Sequence, residues 1–319
     1  MSDGLGVLAK FGLKAVAGWD AAYAAVDTFI PFTDEGLSHS WQRVKDQALV
    51  GKGGKLPSQR GNKVVTGGMN YPLDYDNFGT IFKAVLGAEA GGVYTIVDRL
   101  EQWLWLEIDK DIARHRFGAA KAMKMTLSGT AGEQIKLAVE YAMRDQTVVA
   151  TAFPALTEPT ILPIMMEDLV FRVADQVNAL AGGDAIGISA FELSFDRAPK
   201  SDDYHTGTSP ELALEAVENA KRTVTLKITL ARYSSTEPFT AWKSSSPETA
   251  LQGDLVFTGP AGATLLVEMP ELRIIDGFDS PIGGPSIPTM KGTFEVSRTV
   301  NAAHPMSPAN NNEFILTTT

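Results

Sequence analysis

The sequence predicts a mainly β protein made of two similar β-barrel or sandwich units, each with a short flanking helix. Three observations carry that expectation. Apolar residues recur at every second position in several stretches, 29 glycines and 17 prolines supply turns between them, and the order of segments in the first half returns in the second.

The alternation is explicit. Met123, Met125 and Leu127 alternate with Lys124, Thr126 and Ser128, and Leu137, Val139 and Tyr141 alternate with Lys136 and Glu140. Phe191, Leu193 and Phe195 alternate with Glu192, Ser194 and Asp196, as Val224, Leu226, Ile228 and Leu230 do with Thr225, Lys227 and Thr229. Successive side chains of a strand point to opposite faces, so this period marks half-buried antiparallel strands.

Helical spacing is confined to short pieces. Phe78, Ile81, Phe82, Val85 and Leu86 form one stripe, with Asp74 or Asp76 available to cap its start and Gly87 its end. Thr236–Trp242 has an early proline and apolar residues three apart. Pro210–Ala220, preceded by Ser209, also allows a helix.

These pieces fall in the same order twice. Phe32–Ser38 leads into a long polar loop, a strand at Lys63–Thr66, the Phe78/Phe82 helix and further strands. Ala190–Ser194 leads into a second polar loop, a strand at Arg222–Thr225, the Phe239/Trp242 helix and further strands. The expected organisation is an N-terminal segment (1–25), a first β unit (26–150), a linker (151–166), a second β unit (167–305) and a C-terminal tail (306–319). Pro154, Pro159 and Pro163 make the linker extended and not helical.

Composition excludes several classes. With no cysteine there is no disulfide scaffold, thiolate metal site or cysteine nucleophile. The net charge of −10, without a dense basic stretch, argues against tight nucleic-acid binding. No secretory leader is expected, since the first twelve residues lack a basic n-region, and no run of 18 apolar residues suggests a membrane span.

No catalytic constellation and no cofactor site are expected. His39, His115, His205 and His304 have no metal-binding spacing. Glu107, Asp109 and Asp111 fit a strand end better than a cation loop. Gly51–Lys55 lacks the spacing of a phosphate loop, and Gly259–Gly262 reads as a turn. Trp103 and Trp105 alternate with Leu104 and Leu106, so both faces of that strand are apolar. Either the strand is fully buried, or one face meets a neighbouring subunit.

Several segments together resemble the tail tube proteins of long-tailed phages. Ala17–Tyr23 followed by Phe29–Phe32 is similar to the family's N-terminal segment, and Val65–Gly68 with its helix to the strand–helix unit. Phe117–Lys121 running into Met125–Gly129, and Leu265–Leu272 with an internal proline, resemble later strands of the family. The likeness spans about residues 15–305, and the length suits two tube units.

The resemblance implies a structural virion protein, made in the host cytoplasm and placed in the tail, with no enzymatic activity. Its subunits would join inner sheets into one barrel and stack as rings through which DNA passes without tight binding. Partners would be further copies, as trimeric pseudo-hexameric rings or as hexamers, and the tape measure, tail terminator and distal tail proteins. The two polar loops would be stacking arms, with Trp41, Arg43, Lys45, Lys52 and Lys55 in the first and Asp202, Asp203, Tyr204 and His205 in the second. The alternatives are another ring-forming tail component, such as a terminator or baseplate protein, and a β-sandwich binding module.

Overall fold

Period-two segments become strands here, and every strand pairing is antiparallel. The computed structural model describes residues 9–44, 59–155, 157–176, 179–201, 203–204, 212–230, 239–245, 249–278, 290–299 and 312–319. The first half contains β1 (Lys10–Val16), β2 (Thr28–Phe29), β3 (Asp34–Glu35), β4 (Ser38–Val44), β5 (Gln59–Pro72), α1 (Gly79–Leu86), β6 (Gly87–Ala90), β7 (Val93–Ile96), β8 (Trp103–Asp109), β9 (Arg114–Thr130), β10 (Lys136–Met143) and β11 (Asp145–Val149). The second contains β12 (Leu169–Asp175), β13 (Ala185–Ile186), β14 (Ile188–Asp196), β15 (Pro199–Lys200), β16 (Val217–Glu218), β17 (Thr223–Leu230), α2 (Phe239–Ser244), β18 (Leu251–Thr258), β19 (Thr264–Gly277), β20 (Lys291–Ser297) and β21 (Ile315–Thr318).

The two halves pair their strands in the same order. In the first, neighbours run β2–β1–β8–β9–β10–β5–β3. In the second they run β13–β12–β18–β19–β20–β17–β14. Strand β11 follows β10 along β9, as β21 follows β20 along β19. Both β10 and β20 open on an exposed lysine, with an exposed glutamate four residues later, and Leu137 and Val139 in one and Gly292 and Phe294 in the other are buried between them.

Each half is a two-layer sandwich. The long strands β9 and β19 serve both layers, bending where their pairing with β8 and β18 slips register. Ala119, at φ 45°, marks that bend in β9. Phe11 of the outer layer meets Tyr71 of the inner layer at 5.9 Å between ring centroids, and Phe257 meets Phe191 at 6.0 Å.

The inner layers are continuous across the halves. Residues 124–130 of β9 pair with 196–190 of β14, so β5, β10, β9, β14, β17, β20 and β19 lie side by side, with β3 and β4 at one end. Among the described residues no pairing closes a sheet on itself, so the barrel expected as one option is replaced by open sandwiches. The edge of β9 in the inner layer is instead taken by β14 of the second half.

Helix α1 buries Ile81, Phe82, Val85 and Leu86, and Gly87 ends it at φ 106° with its N–H on the Lys83 carbonyl. Its N-cap is Phe78, without a side-chain cap bond. Asp74, expected as a cap, instead accepts from the Asp76 and Asn77 amides at 2.9 and 2.8 Å, fixing the preceding turn. The helix allowed for 210–220 is absent over 212–220. There the Ala213 carbonyl accepts from Trp19 Nε1 (3.2 Å) and the Ala216 carbonyl from Lys121 Nζ (2.7 Å), not from amides one turn on. This segment also covers the outer layer of the first half, because Trp103 Nε1 donates to Glu215 at 3.1 Å. Trp105 meets Tyr23 edge-on at 5.2 Å, so its own chain covers part of the outer face of β8, where both tryptophans stay half-buried.

One buried cation ties the halves together. The Arg197 side chain is 2% exposed and follows β14. It donates to the carbonyls of Val85 (3.0 Å), Leu86 (2.8 Å) and Val97 (3.1 Å), and to Glu218 (3.2 Å). It therefore occupies the negative end of α1 from the other half. Burial pulls its pKa down to about 10, against the opposing pull of Glu218, and it remains charged at neutral pH. Arg197→Met is expected to cost about 3–5 kcal/mol in thermal or urea unfolding, because it takes the guanidinium from the Val85 carbonyl and leaves the Glu218 carboxylate, which keeps the Leu100 amide, without its counter-charge. Glu218→Gln, which keeps a hydrogen-bond acceptor, should cost less.

Candidate assembly site

Strands β4 and β5 form a hairpin whose register runs from Ser38↔Thr66 to Val44↔Gln59. Trp41 and Arg43 stand on β4, with a register slip between them. Lys45, Lys52 and Lys55, with the Gly51–Lys55 stretch, lie outside the described residues, as do Asp202, His205 and His304. Lys63 Nζ lies 5.9 Å from the Trp41 ring centroid, forms an ion pair with Asp145 and donates to the Gln146 carbonyl at 2.9 Å. Asp203 forms an ion pair with Lys200, and its carbonyl accepts from the Leu214 amide at 2.8 Å. Tyr204 donates to the Lys63 carbonyl at 3.1 Å. The second polar segment thus touches the base of the first arm within one chain.

Lys63, Asp145 and Gln146 form the base of that arm. Their individual positions carry no local signal, since it is the β10–β5 register, Met143↔Val65 and two residues on, that brings residues 82 and 83 positions away to Lys63. Gln146 also hydrogen-bonds His39 and, at 2.9 Å, His115 Nδ1. Burial, with the Lys110 charge, lowers the His115 pKa below 6.5.

The acidic cluster at the end of β8 is structural. Glu107 is fully buried, with Arg116 Nε at 2.6 Å and Arg114 Nε at 3.7 Å, and Asp109 accepts from the Asp111 amide at 3.0 Å. Among the described residues no group of three or more His, Asp or Glu is placed to hold a metal ion. Gly259–Gly262 is a turn, as expected.

The continuous inner sheet has two unlike faces. Leu127, Leu137, Leu193, Leu226 and Phe294 point into the core. The other face is solvated, and the register aligns its residues from strand to strand: Lys136, Ser128, Glu192 and Lys227 in one row, and Glu140, Lys124 and Asp196 in another. Threonine and serine hydroxyls fill much of the rest, among them Thr126, Ser194, Thr225 and Thr293. The −10 net charge of the chain is not gathered here. Lys124, Lys136, Lys227 and Lys291 are balanced by Glu140, Glu192, Asp196 and Glu295, with Lys227–Glu192 at 2.7 Å and Lys124–Glu140 at 3.8 Å.

A family model described as "Phage tail tube protein" matches residues 6–302. The chain belongs to the phage tail tube protein family. No curated protein matches it. Family membership makes this a structural component of the virion tail, and the open ends of its sheet become its principal candidate contacts.

Those ends are two strand edges. Strand β3 pairs with β5 on one side, and among the described residues no strand pairs with its other side. The amide there, that of Leu37, donates to the Glu35 carboxylate at 3.0 Å. Strand β19 is flanked by β18 only as far as Leu272, so among the described residues Arg273–Gly277 has a strand on the β20 side alone. The outward carbonyl of Gly277 accepts from Lys243 Nζ at 2.6 Å, and Ile275 beside it is 56% exposed.

The His115 shift gives a pH signature at the arm base. A folded-state pKa below the unfolded 6.5 means that the unfolded chain takes up the proton first, so stability falls as pH drops below about 6.5. Melting is expected to move to lower temperature between pH 7.5 and 5.5, with a smaller drop in His115→Asn.

Proposed function

We propose that this tail tube protein polymerises as stacked rings to form the conduit for DNA ejection, with its two halves as duplicated tube units. The observation that carries the reading is the continuous inner sheet, with one buried face, one polar face and an open edge at each end. A sheet of that kind is completed by more of the same sheet, and its heterologous ends favour a ring. The terminator, tape measure and distal tail proteins would meet the tube ends and its lumen.

The strand count sets the ring size. Taking β3 and β4 as one lane, each chain supplies eight strands, so three chains supply 24. Strands about 4.8 Å apart and tilted by about 40° give a circumference of about 150 Å and a backbone diameter of about 48 Å. Side chains take about 5 Å from each wall, half the spacing of packed sheets, which leaves a bore of about 38 Å. That admits a hydrated duplex. Six chains presenting all eight strands would open about 85 Å by the same arithmetic, so three chains per ring, with pseudo-sixfold symmetry, is the expected assembly.

Negative-stain microscopy and native mass spectrometry of the purified protein test the reading. Tubes, or three-chain rings that stack, support it. Closed rings that never stack would favour a terminator or baseplate role, and monomers at every concentration a binding module. Deleting Lys52–Pro57 is expected to leave folded rings that no longer stack, because the first arm is the proposed inter-ring contact.

The polar face would line the lumen. Tight DNA binding needs cations free to replace counterions on phosphate, and here lysines stand beside carboxylates. Assembled tubes should therefore release duplex DNA at physiological salt. A Glu140→Gln/Glu192→Gln/Glu295→Gln variant should retain it in a steeply salt-dependent manner, read by co-sedimentation.

A further inference from the structure

We infer that the edge Arg273–Gly277 of β19 pairs antiparallel with residues 34–38, around β3, of a second copy, reproducing the β9–β14 junction inside each chain. This rests on the tail tube reading and names the strands and the register that would close its ring.

The argument is one of equivalence. Glu140 of β10 faces Lys124 of β9, and Lys124 faces Asp196 of β14 across the internal junction. Glu295 of β20 faces Arg273 of β19 in the same way, but among the described residues no strand stands beyond Arg273. Asp196 faces Thr223, which lies two residues before the Thr225 that faces Glu295. In the first half Gly68 faces Glu140, and two residues before it Thr66 faces Ser38. Ser38 is therefore the counterpart of Asp196, and Ser38 of the second copy belongs opposite Arg273.

The edge chemistry agrees with this. Phe278 N–H bonds back to Lys291 on β20, so the polar groups of Gly277 point outward, where Lys243 holds the carbonyl. By the same equivalence Glu35 of the second copy falls opposite Gly277, which brings its carboxylate to the Lys243 ammonium. Each exposed edge is thus covered by a charged side chain opposite in sign to that of the other. Pairing would replace these contacts with main-chain bonds, join the two charges and cover Ile275.

The cysteine-free chain allows a direct test. Ser38→Cys/Arg273→Cys rings, oxidised and run on denaturing gels without reductant, should give covalent oligomers ending at the chain number of one ring. Opposed antiparallel residues lie about 4.5–5.5 Å apart between Cα atoms, within disulfide reach. Each single variant should give monomer bands. Ser38→Cys/Asp276→Cys detects a slip of two register positions, which keeps the same face, and Lys124→Cys/Asp196→Cys should close within one chain as the oxidation control. Rings in which the control closes and neither interchain pair does would overturn this pairing and leave the tube reading standing. A parent protein that never forms rings would overturn both.

Discussion

The fold depends most on β9. Its first half lies against β8 in the outer layer, and its second half has β10 on one side and β14 on the other. Leu127 and Met125 therefore contribute to the first core while their backbone carries the second half. A residue that turned this strand out of line would cost more than its own contacts. It would part the two inner sheets, and the charged rows of the polar face would lose their alignment. Gly129 shows how tight the junction is: a Cβ there would come within 2.4 Å of Ile135 and 2.9 Å of Phe191.

Buried charges do a different task from the apolar core. Arg197 reaches α1 and Lys121 reaches Glu215 and the Ala216 carbonyl, and each joins one half to the other. Desolvating such groups costs several kcal/mol, so their contribution to net stability is modest. Their contribution to specificity is larger. A slip of β14 by one residue along β9 would place its apolar side chains on the solvated face and carry Arg197 away from the end of α1. Apolar contacts alone tolerate small shifts, whereas a guanidinium shared by three carbonyls and a carboxylate does not.

Much of the architecture was legible in the sequence because it is written in local period. The strands around Met125, Val139, Leu193 and Leu226, and the α1 stripe, follow from alternation and helical spacing alone. The β9–β14 junction was not legible, since Phe191 and Gly129 are 62 positions apart and no period relates them. Nor was β1, whose consecutive buried Phe11, Gly12 and Leu13 break the alternation. The Pro210–Ala220 segment misled because helix propensity is weak against side chains that capture its carbonyls. Of the residues expected on the arms, Trp41 and Tyr204 meet around Lys63 through pairing that sequence spacing does not encode.

The edges pose the remaining physical problem. An open strand edge that must join another copy can also join anything else with a free backbone. In this chain both edges have an outward polar group occupied by a charged side chain of the same subunit, Glu35 on the Leu37 amide and Lys243 on the Gly277 carbonyl. A foreign strand would have to displace both side chains, Glu35 with its Lys110 ion pair and Lys243 with its hold on the Gly277 carbonyl, and would bring no opposite charge to meet either. A second copy, arriving in register, would displace both and set them against each other. Selectivity of this kind comes from the penalty imposed on wrong partners more than from any gain with the right one. In the proposed pairing it would penalise foreign strands while admitting a second copy at the two places where the inner sheet ends.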